Sequence, residues 1–216
     1  MSISGRRTVS SRRWLERQLR DPYVAAARRA GYRSRAAFKL AELDDRFRFL
    51  AAGARVLDLG AAPGGWSQVA AERVGAKTVL GVVVAVDLLP LAPLPGVTAL
   101  TLDAGLPESE AAMREALGGP ADVVLSDMAP NSTGHAGVDH LRVVGLVEAA
   151  ADLATHLLRP GGVFVAKVWQ GGTEGELLRR LKRSFATVRH AKPKASRVES
   201  AEVYLVAQGF RADRPA

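Results

Sequence analysis

The chain has 216 residues, 48% of them hydrophobic, with a formal net charge of +8 and no cysteine. That length fills one α/β core rather than two. The missing cysteines exclude disulfides and thiolate metal sites, and four scattered histidines lack the paired spacing of metal ligands, so no metal is expected. The apolar run Val79 to Val86 is too short to span a bilayer, and the start carries no apolar signal segment; a cytoplasmic protein with no membrane partner is expected.

The charge is gathered at one end. Residues 1–35 hold ten arginines against Glu16 and Asp21, a net of +8, so the remaining residues balance near zero. Trp14, Tyr23 and Tyr32 lie among these arginines. Guanidinium groups pair with phosphates and rings stack on bases, so the composition suits a nucleic-acid polyanion; an unstructured solubilising tail would have the same composition. Residues 1–33 are read as a basic arm, 34–210 as the core domain and 211–216 as a short tail.

After the arm, Ser34 is expected to cap a helix running to about Leu50, with Leu40, Leu43, Phe47 and Leu50 as its apolar stripe. Lys39 sits at the margin of that stripe, where its stem packs on the core and its ammonium reaches a rim. The strand Arg55 to Leu59 then runs into the glycine-rich turn Gly60-Ala61-Ala62-Pro63-Gly64-Gly65-Trp66 and a helix from Ser67 to Arg73. Small residues let a backbone approach a ligand, and the helix offers unpaired N–H groups, which is the layout of a nucleotide-cofactor loop. It is not the dinucleotide pattern G-x-G-x-x-G, and Asp58 precedes it inside the strand.

Alternation continues through strands Thr78 to Val86 and Val97 to Leu102, helix Glu108 to Leu117, strand Asp122 to Ser126, and a helix from about Asp139 to Leu158. Strand Val163 to Val168, helix Glu174 to Phe185, and strands Thr187 to Ala191 and Glu202 to Gln208 close the chain. Apolar strands separated by helices imply a doubly wound, mostly parallel sheet covered on both faces, and the missing last helix makes the final strand antiparallel. Ligands of such sheets sit beyond the carboxyl ends of the strands, and those ends carry Asp58, Asp87, Asp103, Asp127 and Lys167. Asp87 stands where an acid accepts from ribose hydroxyls. Lys167 interrupts an apolar strand, which is costly without a partner, and Asp127 on the adjacent strand is the expected one. Glu202 is a second acid on a strand that reads as buried; Glu199 nearby falls in the preceding loop by alternation from Tyr204.

Seven blocks, in order from about Ser11 to Phe210, resemble the FtsJ/RrmJ family of RNA 2'-O-ribose methyltransferases. They are Ser34-Arg35-Ala36-Ala37-Phe38-Lys39-Leu40, Asp58 to Gln68, Asp87-Leu88-Leu89-Pro90, Ser126 to Asn131, Pro160-Gly161-Gly162, Lys167-Val168-Trp169-Gln170-Gly171 and Glu202-Val203-Tyr204. The resemblance implies a Rossmann-like class I methyltransferase fold using S-adenosylmethionine. It further implies a catalytic tetrad on Lys39, Asp127, Lys167 and Glu202, with Lys167 as proton acceptor. Cofactor contacts are implied at Asp58, Gly60, Pro63, Gly64, Gly65 and Trp66, at Asp87 for the ribose, Asp103 for the adenine and Asp127 for the methionine end. The implied reaction is methylation of a uridine 2'-hydroxyl in 23S ribosomal RNA within the assembled 50S subunit, by a monomer. The alternatives are a tRNA 2'-O-methyltransferase and a non-catalytic ribosome-assembly factor; a nicotinamide-dependent dehydrogenase competes only for the glycine-rich loop.

Overall fold

Strands that are apolar on both faces must be covered on both, and this decides the architecture. A computed structural model describes residues 21–78, 80–130, 134–170 and 174–212. Seven strands, β1 (Arg55–Leu59), β2 (Val82–Asp87), β3 (Val97–Thr101), β4 (Ala121–Ser126), β5 (Leu158–Trp169), β6 (Phe185–Ala191) and β7 (Glu202–Phe210), form one sheet in the order β3-β2-β1-β4-β5-β7-β6. Strands β1 to β5 pair in parallel, and β7 inserts antiparallel between β5 and β6, as the absent final helix requires.

Among the described residues six α-helices complete the layers: α1 (Pro22–Ala30), α2 (Ala36–Phe47), α3 (Gly65–Val74), α4 (Pro107–Leu117), α5 (Ala136–Leu157) and α6 (Glu174–Ser184). Period-two alternation splits each strand between two cores. Leu57, Leu59, Val84 and Val86 face α4, α5 and α6, whereas Val56, Val83 and Leu125 face α2 and α3. The chain turns from β3-β2 on one side of β1 to β4-β5 on the other, so a crevice opens beyond the carboxyl ends of β1 and β4.

Of the boundaries that differ from the sequence reading, three have a local physical cause. Helix α2 takes Arg35, not Ser34, as its N-cap, because the Ser34 hydroxyl is packed against Gly65, where an added Cβ would lie 2.2 Å from it. The same helix stops at Phe47 rather than Leu50: Arg48 turns left-handed, and the buried Asp44 carboxylate accepts from the Phe49 and Leu50 N–H groups at 2.9 and 2.8 Å. The second strand begins at Val82 instead of Thr78, since Ala76–Thr78 form a 3₁₀ turn whose Thr78 N–H, like that of Leu80, returns to the Gly75 carbonyl.

The described part of the arm, residues 21–33, packs on this body. Residues 1–20, with Trp14 and six of the arginines, lie outside the described residues. Helix α1 is capped by Asp21, ends on left-handed Gly31, and lies on α2. Tyr23 and Tyr32 both pack on Phe38 at 5.6 Å, and their hydroxyls donate to Glu42 and Glu72. The expectation that these two rings stack on bases is therefore corrected: both are committed to holding α1 on the domain.

Candidate active site

The glycine-rich turn is built for close approach. Gly60 has φ 72°, and a Cβ there would fall 2.8 and 2.9 Å from the backbone Cα and N of Met128, so neither conformation nor space admits a side chain. Gly60→Ala is expected to destabilise the fold by about 2 kcal/mol or more and to weaken cofactor binding. Thermal unfolding and a cofactor titration on the purified variant check it.

Beside this turn lies a cavity of about 300 Å³, lined in part by Gly60, Ala62, Asp87, Asp103 and Asp127. Asp87 stands at its root. One carboxylate oxygen accepts from the Ala62 N–H at 2.8 Å and the other from the Leu89 N–H at 2.9 Å, which leaves a lone pair on each oxygen for a hydroxyl donor. Asp103 accepts from the Gly105 N–H at 2.9 Å. Leu88, Leu89, Leu102, Met128 and Leu146 supply apolar walls that the sequence reading did not identify. Leu88 and Leu89 are 68% and 64% exposed, a large apolar surface suited to cover by a flat ring.

Four of the expected cofactor residues, Pro63, Gly64, Gly65 and Trp66, do not line the cavity. Gly64 and Gly65 are buried against Leu94, Arg33 and Ser34. Trp66 is buried too; its indole N–H donates to the Ala36 carbonyl at 2.9 Å and its ring meets Tyr204 at 5.6 Å. These residues shape the turn from behind.

Asp58 is also absent from the wall. It is wholly buried, Oδ2 accepts from the Ser67 hydroxyl at 2.6 Å, and Oδ1 has no hydrogen-bond partner among the described residues. Burial pushes this carboxyl up to about 7; Ser67 opposes the shift, and the Asp127 and Asp87 charges add to it. The carboxyl thus holds its proton more tightly folded than unfolded. The stability this contributes is full below the ordinary carboxyl range and is lost as pH rises through about 7. Asp58→Asn removes the ionisation, so its melting temperature relative to the parent chain is expected to rise by a few degrees between about pH 5 and about pH 8. A constant difference across that window contradicts the assignment.

At the far end of the cavity, Asp127 joins a cluster of charged groups. The Lys167 ammonium, 6% exposed for the whole residue, donates to the Asp127 backbone carbonyl at 2.8 Å and lies 3.2 Å from its Oδ1. Lys39, 9% exposed, donates to Glu202 Oε2 at 3.0 Å. Tyr204 links the two pairs: its hydroxyl donates to Asp127 Oδ1 at 3.0 Å, and its ring lies 5.7 Å from the Lys39 ammonium. Burial pushes the Glu202 carboxyl up, but the Lys39 charge and hydrogen bond, with Lys167 and Arg35, outweigh it and hold the group below its usual range. Burial, then the Asp127 and Glu202 charges, raise the Tyr204 phenol well above its usual value, so it stays a donor. All four expected catalytic residues therefore meet in one place, and Tyr204 is the member to which the sequence pattern gives no role. Glu199 is exposed in the loop before β7.

The arrangement suits proton removal from a substrate hydroxyl. Asp127 occupies two of the directions around Lys167 Nζ, leaving one for a hydroxyl, while Asp127 itself faces the cavity. Among the described residues no group of three His, Asp or Glu is placed to hold a metal, and no helix is long and apolar enough to cross a membrane.

Four cations of β6 and the β6–β7 loop are used in different ways. Arg189 and Lys194 are exposed, but Lys192 donates to the Val198 and Ser200 carbonyls at 3.0 and 2.7 Å, and Arg197 pairs with Asp21 at 3.2 Å. Those two charges brace the β6–β7 loop.

Residues 32–210 match the family described as FtsJ-like methyltransferase. A protein of Rhodopseudomonas palustris (strain BisB5) named ribosomal RNA large subunit methyltransferase E is 59% identical over 208 residues, covering 96% of this chain and 88% of that one. A Bradyrhizobium sp. (strain BTAi1) protein of the same name is 57% identical over 216 residues, covering 100% and 94%. A crystal structure of a Plasmodium falciparum protein described as a ribosomal RNA methyltransferase superposes with a TM-score of 0.74 at 31% identity, covering 83% of this chain and 98% of that one. The seven-stranded order with antiparallel β7, the cavity at the switch point and a match across five-sixths of its length agree: the chain belongs to the FtsJ-like methyltransferase family and is an S-adenosylmethionine-dependent enzyme.

Proposed function

We propose that the chain methylates the ribose 2'-hydroxyl of a uridine in 23S ribosomal RNA, acting on the assembled large subunit. The observation that carries this reading is the meeting of two lysine–acid pairs, Lys167–Asp127 and Lys39–Glu202, at the end of a nucleoside-sized cavity whose wall includes Asp127. The names of the relatives supply the RNA class.

The residues present fit the cofactor. Asp87 would accept from its ribose hydroxyls, Leu88, Leu89 and Met128 would cover its adenine with Asp103 at the edge, and Gly60 would admit it against the backbone. S-adenosylmethionine supplies a methyl on sulfonium sulfur that is already electrophilic. The protein's task is to align an oxygen opposite that sulfur and take its proton. Lys167 is the acceptor in its neutral amine form, its two N–H groups directed at the two Asp127 oxygens and its lone pair at the hydroxyl, and Lys39 with Glu202 steers the ribose hydroxyl from the other side. Tyr204 fixes the Asp127 carboxylate between them. Asp58 acts from beneath the loop through Ser67 rather than by touching the cofactor.

In this reading residues 34–210 are the catalytic domain, and residues 1–33 contribute arginines that bind RNA phosphates, Arg28 and Arg29 being exposed at the end of α1. Recognition of a ribose hydroxyl needs little base reading, so the folded particle selects the target.

The test is transfer of labelled methyl to large ribosomal subunits, free 23S RNA and tRNA, all from cells lacking the protein, followed by digestion to nucleosides. Label in 2'-O-methyluridine from the subunit is expected. Label appearing only in tRNA replaces the substrate, and absence of transfer alongside normal cofactor binding supports an assembly factor.

A further inference from the structure

The wall of the cavity formed by Leu88 and Leu89 belongs to a segment, 88–96, that contains no regular secondary structure. Pro90, Pro93 and Pro95 interrupt it, so three of its positions have no N–H to donate. A wall made of such a segment holds its place only if something outside it supplies donors to its carbonyls.

Arg33 does so. One terminal nitrogen of its guanidinium donates to the Ala92 carbonyl at 2.7 Å and to the Pro63 carbonyl at 3.2 Å; the other donates to the Pro93 carbonyl at 2.7 Å. A single side chain thus ties the far end of the segment to the glycine-rich turn. The arginine is itself fixed. Its N–H donates to Gln68 Oε1 at 2.7 Å, and the Gln68 amide donates back to the Gly31 carbonyl at 2.9 Å, which anchors the clamp to α3. Gly64, at φ 110°, lies where a Cβ would come within 2.8 Å of Leu94 and 3.2 Å of the Arg33 guanidinium, so turn, segment and arginine pack without a gap. At the near end Asp87 makes the corresponding tie, to Ala62 and Leu89.

We propose that Arg33 is a positioning residue for the cofactor: it clamps the 88–96 segment to the glycine-rich turn so that the apolar wall stands before the cofactor arrives. This rests on the assignment of the cavity to S-adenosylmethionine. Although it falls among the arginines of the basic arm, its three carbonyl contacts occupy both terminal nitrogens, and its role is separable from RNA binding. A clamp that spares the cofactor the cost of ordering its own wall raises affinity without entering the chemical step. Lysine is a poor substitute, because a compact ammonium cannot reach three carbonyls in a fork.

The experiment uses the full chain with Arg33→Ala, Arg33→Lys and Asp87→Ala. It measures the dissociation constant for S-adenosylmethionine, steady-state constants on large ribosomal subunits, melting temperature, and hydrogen exchange at the amides of Leu88, Leu89, Leu91, Ala92 and Leu94. For Arg33→Ala the dissociation constant and the KM for the cofactor are expected to rise about tenfold. The KM for the subunit and kcat at saturating cofactor change far less, and exchange quickens in the segment. Arg33→Lys recovers only part of the loss. An unchanged cofactor constant with a raised KM for the subunit makes Arg33 a phosphate contact and overturns the proposal. A parallel fall in melting temperature and every kinetic constant, with exchange quickened throughout the domain, overturns it as well. If Asp87→Ala binds the cofactor normally, the cavity assignment itself fails; if it does not while Arg33→Ala does, only the clamp fails.

Discussion

Lys167→Met is expected to abolish methyl transfer, lowering kcat by about a thousandfold or more, while the cofactor still binds. The substitution keeps an unbranched chain of similar length in strand β5, between Ala166 and Val168, so packing of the strand is preserved. What it removes is the nitrogen that Asp127 holds by its backbone carbonyl and its carboxylate. Lys39 cannot replace it, because its ammonium is engaged by Glu202. Loss of the partner leaves the Asp127 carboxylate with the Tyr204 hydroxyl, at a cost of about 1–3 kcal/mol. A chain of this size then melts lower by less than about 12 °C and remains folded at assay temperature. Single-turnover transfer on large subunits, beside a cofactor titration, checks the outcome.

Asp87→Ala is expected to act on the other half of the site, raising the dissociation constant for S-adenosylmethionine by about a hundredfold or more. Its carboxylate ties Ala62 of the glycine-rich turn and Leu89 of the cavity wall, and in the proposed reading its remaining lone pairs accept from the ribose. Each lost charge-assisted hydrogen bond contributes about 1.5 kcal/mol or more, and two are enough for the stated factor. No member of the lysine–acid cluster is touched. Isothermal titration with the cofactor and with its demethylated product checks the shift, which is expected for both, since the ribose is common to them.

Lys167 and Glu202 stand out in the amino-acid sequence because a charge inside an apolar strand violates the pattern around it, and Asp87 because strand ends in doubly wound sheets carry ligand-facing acids. The antiparallel β7 is legible from an absent helix. What cannot be read are contacts whose partners are backbone carbonyls remote in the chain. Arg33 meets Ala92 and Pro93, and Lys192 turns back on its own loop; in sequence both are indistinguishable from solvated cations. Trp66, Gly64 and Gly65 illustrate the converse. Their pattern marks the turn beside the cavity, yet their side chains or absence of one serve packing behind it, because small residues and an indole satisfy either need. The early start assigned to β2 fails since β-branched and apolar residues continue across a turn that Gly75 governs.

The central claim is that one residue set binds the methyl donor and another carries out its transfer, joined at Asp127. The most direct test is to titrate S-adenosylmethionine and follow single-turnover transfer to large ribosomal subunits with Lys167→Met and Asp87→Ala in parallel. The account predicts that Lys167→Met binds the cofactor within about threefold of the parent chain and transfers nothing. It predicts that Asp87→Ala binds weakly but regains transfer as cofactor is raised. Loss of binding and transfer to the same degree in both variants would contradict it.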